Sequence, residues 1–63
     1  MRAADIVLEM LGDTGTRYAD VGKMLGVTDR AIGNKITRNA FRMQEFLDIA
    51  DELGYDVIVK KRD

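Results

Sequence analysis

The stretch VGKMLGVTDRAIGNKI, residues 21–36, contains three glycines within a pattern otherwise typical of helices. A glycine in a helix interior costs about 1 kcal/mol relative to alanine, so each of the three needs an explanation. Gly26 directly follows Leu25, at a point where a helix can end in a left-handed residue at little cost. Thr28 is a good N-cap for a following helix. The stretch therefore predicts two helices joined by a tight turn.

The positions of the other two glycines suggest different roles for them. Gly22 lies one turn before Gly26, where the two helices cross, and a small residue there lets the backbones approach. Ile32 and Ile36 share one face of the second helix of the pair and are predicted to be buried. Gly33 lies about 100° around the helix from Ile32, toward the outer face. We expect it to let a large group, such as the edge of a base pair, come close.

Apolar spacing, caps and turn residues predict four helices over the whole chain, at about residues 3–11, 17–25, 29–38 and 42/43–53. The turn cluster GDTGT, residues 12–16, stops the first helix, Thr16 caps the second, and Gly54 ends the fourth. The side chains predicted to face the core are Ile6, Val7, Met10, Leu11, Val21, Met24, Leu25, Ile32, Ile36, Phe41, Phe46, Leu47, Ile49, Ala50 and Leu53.

The segment YDVIVK, residues 55–60, alternates in side-chain character and is rich in β-branched residues, which predicts one short strand. It has no partner strand in the sequence, and an unpaired edge favours association. The simplest arrangement pairs it antiparallel with the same strand of a second copy around a two-fold axis. The alternative is a partly ordered tail that folds back on the first helix. The predicted dimerisation residues are Tyr55, Val57, Ile58 and Val59.

Length and composition limit the functional classes. The 63 residues predict a single domain, 1–63, without cysteine or histidine. Disulfides, thiolate metal sites and the usual general base are therefore excluded. The sequence has no glycine-rich phosphate loop and no paired carboxylates beside a pocket, so we expect no catalysis, no cofactor and no metal. Acidic residues within the N-terminal apolar stretch, and the lack of an apolar run near 20 residues, predict a cytoplasmic protein without a signal peptide or membrane segment.

Charge is unevenly distributed along the chain. The net charge is only −1, but residues 17–42 carry six basic side chains against two acidic ones. The remainder carries four basic side chains against nine acidic ones. A basic middle within an acidic frame suggests a face for a polyanion, although a solvated surface of mixed charge has the same composition.

The residues LGVTDRAIGNKI, 25–36, resemble the helix-turn-helix of the Cro/C1-type (Xre-like) phage repressor family. The downstream run FRMQEFLDIADELGYDV, 41–57, resembles the tail of many small prophage regulators of this kind. The resemblance implies a mainly α, lambda-repressor-like bundle of about four helices plus one C-terminal β-strand, with the helix-turn-helix at about 17–38. The family often has alanine where this chain has Gly22, a change that is conservative in size.

The resemblance also implies a function, that of a homodimeric transcription regulator of repressor type that binds double-stranded DNA. In such a protein the third helix, residues 29–38, lies in the major groove. Arg30 is then suited to guanine and Asn34 to adenine. The candidate base-readout residues are Asp29, Arg30, Gly33, Asn34 and Thr37. The candidate phosphate contacts are Arg17, Tyr18, Thr28, Lys35, Arg38 and Arg42. The family often has glutamine near Tyr18, whose hydroxyl can hydrogen-bond a phosphate in its place.

A second functional class is a protein-interaction module of antitoxin or anti-repressor type, which keeps the fold without binding DNA. The acidic overall balance favours it, and the C-terminal strand would then add to a sheet of another protein. A small-molecule effector is not expected in either case, because the sequence predicts no second domain to hold one.

Overall fold

The computed structural model describes residues 1–62, and this part of the chain forms four α-helices. They are α1, Ala3–Thr14; α2, Tyr18–Leu25; α3, Asp29–Arg38; and α4, Met43–Glu52. Short turns join them, and each helix packs on at least two others. The predicted mainly α class is confirmed, and the bounds of α3 agree with the prediction. None of the helices in the described residues has the length and apolar character needed to cross a bilayer.

The core lies where one apolar face of each helix meets the others. Its buried side chains are Ala4, Val7, Met10, Leu11, Val21, Ile32, Ile36, Ile49 and Ala50. All of these except Ala4 were predicted to face the core. Full burial of a valine or isoleucine side chain stabilises the folded state by about 1.5–3 kcal/mol. These buried side chains therefore supply the main stabilisation of a domain this small.

Helix α1 continues three residues beyond its predicted end at Leu11. It ends instead at Gly15, which adopts the left-handed conformation (φ 66°) and donates its N–H to the Leu11 carbonyl. Gly12 lies inside the helix, because a glycine weakens a helix without stopping it. The Thr14 hydroxyl donates to the Met10 carbonyl at 2.8 Å, so even this last turn is bonded back to the helix.

Three of the four helices begin in the same way, at an arginine whose main-chain N–H donates to a carboxylate three residues later. The bonds are Arg2 N to Asp5 Oδ2 at 3.2 Å, Arg17 N to Asp20 Oδ2 at 3.1 Å, and Arg42 N to Glu45 Oε1 at 2.8 Å. This is one half of a capping box. It also places a negative charge in the first turn of each helix, where the helix dipole favours it.

The prediction that Thr16 caps α2 is therefore wrong. The N-cap is Arg17, and the Thr16 hydroxyl lies 2.7 Å from the hydroxyl of Thr14 instead. The Asp20 carboxylate supplies the acceptor that a threonine side chain at the N-cap would have supplied. The start of α2 is therefore set by Asp20, in the third position of the helix, and not by Thr16.

The predicted strand at residues 55–60 is not present in the described chain. Gly54 ends α4 with a φ of 83°, and Tyr55 donates its N–H to the Ala50 carbonyl at 2.8 Å. From there to residue 62 the main chain makes no hydrogen bond within the described residues. A strand needs the N–H and C=O groups of a neighbour, and one copy of this chain does not offer them to its tail.

Candidate nucleic-acid interface

Helices α2 and α3 are joined by a tight turn, residues 26–28, as predicted. Gly26 is left-handed (φ 71°), and the N–H of Val27 donates to the Gly22 carbonyl at 2.8 Å. The Thr28 hydroxyl accepts from the N–H of Ala31 at 3.1 Å, which confirms Thr28 as the N-cap of α3. The direction in which α3 leaves the turn is therefore fixed at both ends of the connection.

Gly22 of α2 lies directly against this turn. A Cβ added at Gly22 would lie 2.6 Å from the Val27 carbonyl oxygen and 3.2 Å from the carbonyl carbon of Thr28. Both are backbone atoms, so no side chain can move aside. The predicted close approach is confirmed, but alanine is not a conservative replacement for this glycine, contrary to what the resemblance implied.

The outer face of α3 is polar and accessible. Ile32 and Ile36 point into the core, as predicted, while Arg30 and Asn34 lie one turn apart on the exposed side. Within residues 1–62 neither the Arg30 guanidinium nor the Asn34 amide has a hydrogen-bond or ion-pair partner. Their full hydrogen-bonding capacity is available to a ligand.

Two further predicted readout residues already make local bonds. The Thr37 hydroxyl donates to the Gly33 carbonyl at 3.0 Å, and Asp29 Oδ1 accepts from the N–H of Arg30 at 2.8 Å. Thr37 therefore offers a methyl group and acceptor lone pairs outward. Asp29 lies in the first turn of α3, where the helix dipole favours an acidic side chain.

Gly33 and Tyr18, predicted as separate contacts, lie next to each other. A Cβ added at Gly33 would be 3.9 Å from two ring carbons of Tyr18, which is an ordinary contact distance. The packing inside the protein therefore does not require a glycine here. Tyr18 is 39% exposed, so its ring continues the surface of α3 onto the start of α2.

The predicted phosphate contacts divide into free and engaged side chains. Arg38 and Arg42 are exposed and form no ion pair within the described chain. Arg17 lies 3.7 Å from Asp20 on the open surface, a contact of little energetic weight. Lys35 is partly buried and engaged, with its Nζ 3.0 Å and 3.2 Å from the two carboxylate oxygens of Glu45.

Glu45 was not singled out from the sequence, yet it joins α3 to the start of α4. Its carboxylate accepts from the N–H of Arg42 and from the ammonium group of Lys35. These two donors, the Arg42 amide above all, lower the pKa of Glu45 below its ordinary value. The side chains of Lys35 and Glu45 are only 24% and 20% exposed, so water screens the pair less than a surface pair.

We expect Glu45→Gln to lower the free energy of unfolding by about 1 kcal/mol at pH 7, because Lys35 loses its charged partner. A carboxylate with a lowered pKa in the folded state stabilises the fold above its unfolded pKa of about 4.3. That contribution is lost as the pH falls through the folded value. Urea unfolding at pH 7 and at pH 3.5 should therefore show that the free energies of unfolding of variant and wild type differ less at the lower pH. Glu52→Gln is the matched control. An equal difference at both pH values would contradict a stabilising role of the Glu45 carboxylate.

Asn39 is a second residue whose role sequence reasoning missed. It adopts the left-handed conformation (φ 52°) and ends α3, a position where asparagine is favoured after glycine. Its Oδ1 accepts from the N–H of Ala4 at 2.9 Å, which ties the end of α3 to the first turn of α1. The residue type could have indicated the helix end, but not the partner 35 residues away.

The predicted dimerisation residues differ in their surroundings. Tyr55 packs against the core, and its hydroxyl donates to Asp13 Oδ2 at 3.5 Å. Burial, followed by the charge of Asp13, raises the pKa of Tyr55. Val57, Ile58 and Val59 are 44%, 81% and 95% exposed.

The tail borders an apolar groove of about 560 Å³ between α1 and α4. Its walls include Ile6 of α1, Phe46 and Leu47 of α4, and Val57 and Val59 of the tail. A second groove, of about 360 Å³, lies between α1 and the tail around Met10 and Tyr55, and Glu9 and Asp13 contribute to its wall. These grooves provide the described chain with an apolar surface next to an exposed, unpaired segment.

Comparison with known proteins adds no family to these observations. No protein-family model, no curated protein and no solved structure matches the chain. The resemblance noted for residues 25–36 and 41–57 stands on those residues alone, and the function has to be argued from the geometry of α2, the turn and α3.

Proposed function

We propose that this protein is a sequence-specific regulator of transcription, which binds double-stranded DNA as a homodimer. In this proposal α2, the turn 26–28 and α3 form a helix-turn-helix, and α3 is the recognition helix. The observation that carries the proposal is the outer face of α3. This face begins directly after a tight turn and is largely exposed, and within residues 1–62 the side chains of Arg30 and Asn34 have no partner.

The outer face of α3 fits the chemistry of the major groove, which is about 12 Å wide and admits one α-helix. Arg30 would donate two hydrogen bonds to O6 and N7 of guanine, and Asn34 would pair with N6 and N7 of adenine. Gly33 has no side chain to hold a base edge away. The protein atoms around it leave room for an alanine, so packing within the protein does not require this glycine. The methyl group of Thr37 suits contact with the methyl group of thymine.

Phosphate contacts would come from the rim of this face. Arg17, Arg38 and Arg42 are exposed, and Thr28 lies at the N-terminal end of α3, where the helix dipole favours anions. The Tyr18 hydroxyl is placed next to α3 by the contact of its ring with Gly33. Lys35 contributes less in this proposal, because Glu45 already neutralises it.

The homodimer would bring two copies of α3 to successive turns of the major groove, about 34 Å apart, on a roughly palindromic site. The proposal includes a place in the Cro/C1-type family, a repressor-like role and a phage or prophage origin. All three rest on the resemblance of residues 25–36 and 41–57.

A protein-interaction module is the second candidate, and the apolar groove of about 560 Å³ favours it. Exposed apolar patches of this kind mark surfaces that bind other proteins. The two functions differ in their response to salt, because only contacts with phosphates release the counterions condensed on DNA.

We expect selection from a random pool of duplex DNA, at near-physiological salt, to enrich a site with two inverted half-sites. The affinity for that site should fall steeply with salt, by about 0.9 log units per phosphate contact for each tenfold increase. With three exposed arginines per copy, a dimer would have a slope near −5. Arg38→Ala should reduce the magnitude of that slope by about 2, since each dimer loses two contacts. A folded protein that enriches no sequence would favour the interaction module.

A further inference from the structure

The smaller of the two grooves, about 360 Å³ in volume, has an apolar floor and an acidic rim. Met10 and Ala50 form the floor and are almost fully buried. Glu9 and Asp13 line the groove from α1, and Asp56 lines it from the tail, residues 55–62. No lysine or arginine within residues 1–62 lines this groove, which we call the acidic groove.

The carboxylates of the acidic groove are not neutralised by the protein itself. Within the described residues none of Glu9, Asp13 and Asp56 forms an ion pair. Asp13 accepts a hydrogen bond from the Tyr55 hydroxyl at 3.5 Å, which leaves its second oxygen open. Burial raises the pKa of Tyr55, and the charges of Asp13 and Glu9 raise it further. The negative potential of the rim therefore extends into the groove.

The acidic groove continues into the larger groove of about 560 Å³. Ile6, Phe46 and Val57 line both, so the two grooves form one continuous apolar surface. The larger groove has no charged side chain in its walls. An occupant that matches this surface needs apolar side chains along its length and positive charge where it meets the acidic groove.

The two grooves lie apart from the face proposed to bind DNA. No residue of α2 or α3 lines either of them. The acidic groove is also built from outside residues 17–42, the part of the chain in which basic side chains exceed acidic ones. A positively charged partner is therefore attracted to the acidic groove and repelled from the outer face of α3.

The spacing of the acids matches that of a second helix. Glu9 and Asp13 are four residues apart on α1, so they lie on one side of it, about 6 Å apart along its axis. Two basic residues four apart on a partner helix have the same spacing. Apolar side chains beside them on that helix would rest on Met10 and Ala50. Binding of an amphipathic helix in an apolar groove is a common mode of protein recognition.

The basic helices of a second copy do not fit this description. The apolar side chains of α2 and α3 are turned into the core, where Val21 and Ile32 are fully buried and Ile36 nearly so. The outer face that remains on α3 is polar. A helix that carries both basic residues and free apolar side chains has to come from a different protein.

We infer that the acidic groove is a docking site for a basic amphipathic helix of a partner protein. Apolar side chains of that helix would fill the continuous groove, and two lysines or arginines four residues apart would pair with Glu9 and Asp13. The inference gives a partner chemistry to the surface that favours an interaction module, and it does not depend on DNA binding by α3.

The test measures binding of a synthetic helix to the full chain by fluorescence anisotropy. The labelled probe has about 15 residues, a length at which an isolated helix becomes stable in water, with leucines on one face and lysines four residues apart beside them. The double variant Glu9→Gln, Asp13→Asn should bind the probe about tenfold less tightly than the wild type, because two ion pairs are lost. Ile58→Ser, which removes an exposed apolar wall of the acidic groove, should weaken binding about fivefold.

The controls separate the groove from net charge. Asp51→Asn with Glu52→Gln removes the same two charges from exposed positions of α4 outside both grooves, and should bind the probe as the wild type does. A probe with glutamate in place of each lysine should bind at least about tenfold less tightly. Circular dichroism of each variant establishes that the helices are folded. Amide NMR shifts on binding should concentrate in residues 6–13 and 55–58.

Three outcomes would overturn the inference. Equal affinity of the wild type and the Glu9, Asp13 double variant would remove the acids from the site. Shifts centred on α3 would place the probe on the other face. Self-association of the wild type that the same double variant abolishes would assign the groove to a second copy. The selection of duplex DNA tests the proposal for α3 separately, whichever of these is found.

Discussion

Replacing Gly22 with alanine is expected to lower the free energy of unfolding by about 3 kcal/mol. The new methyl group would lie 2.6 Å from the Val27 carbonyl oxygen, well inside contact distance. The turn cannot retreat freely, because the Val27 N–H is bonded to the Gly22 carbonyl and Thr28 caps α3. A domain of this length has about 3–9 kcal/mol of stability in total, so the variant should lose a third of it or more.

Thermal unfolding followed by circular dichroism measures this loss, which should lower Tm by roughly 10 °C or more. Gly12→Ala is the matched control, because it makes the same change in α1 where no atom lies within 4 Å of the added Cβ. That variant should gain up to about 1 kcal/mol from helix propensity alone. A Gly22→Ala protein as stable as the wild type would show that α2 and the turn can separate at little cost.

The double variant Arg30→Ala, Asn34→Ala is expected to bind its selected DNA site about 100-fold less tightly than the wild type, or weaker still. Each bidentate contact to a base discriminates by about 1–3 kcal/mol, and 1.4 kcal/mol corresponds to a factor of ten. Binding to unrelated DNA should change much less, because most of that affinity comes from phosphate contacts. The measurement is a comparison of the two affinities at one salt concentration.

The fold should be unaffected by this double variant, since neither side chain bonds to the rest of the described chain. Arg30→Lys is the matched control: it keeps the charge but loses the planar fork that fits guanine. It should lose sequence preference while retaining affinity for unrelated DNA. A double variant with undiminished preference would show that α3 does not read the bases.

Much of this architecture could be predicted from local sequence. The bounds of α3 follow from Thr28 and from the spacing of Ile32 and Ile36, because the cap and the buried face are both set by residues within one helix. The left-handed Gly26 is equally local. The start of α2 was also readable, but the signal lay in Asp20, three residues inside the helix, and not in Thr16 before it.

What could not be predicted depends on backbone positions set by tertiary packing. That Gly22 excludes even a methyl group depends on where the Val27 carbonyl points. The pairing of Lys35 with Glu45 spans a turn between two helices, so helical spacing gives no hint of it. The strand predicted at residues 55–60 is absent from the described chain, because alternation of side chains favours an extended backbone but supplies no hydrogen-bond partner.

The arginines that begin α1, α2 and α4 have a consequence for how this surface can evolve. The capping bond at each site uses the main-chain N–H and not the guanidinium, so any residue other than proline could supply it. The guanidinium groups of Arg2 and Arg17 add only exposed contacts to the same carboxylates, at 3.2 Å and 3.7 Å, and that of Arg42 forms no ion pair within residues 1–62. The side chains at residues 17 and 42, the proposed phosphate contacts, can therefore be exchanged to retune affinity while the helices still start at the same residues.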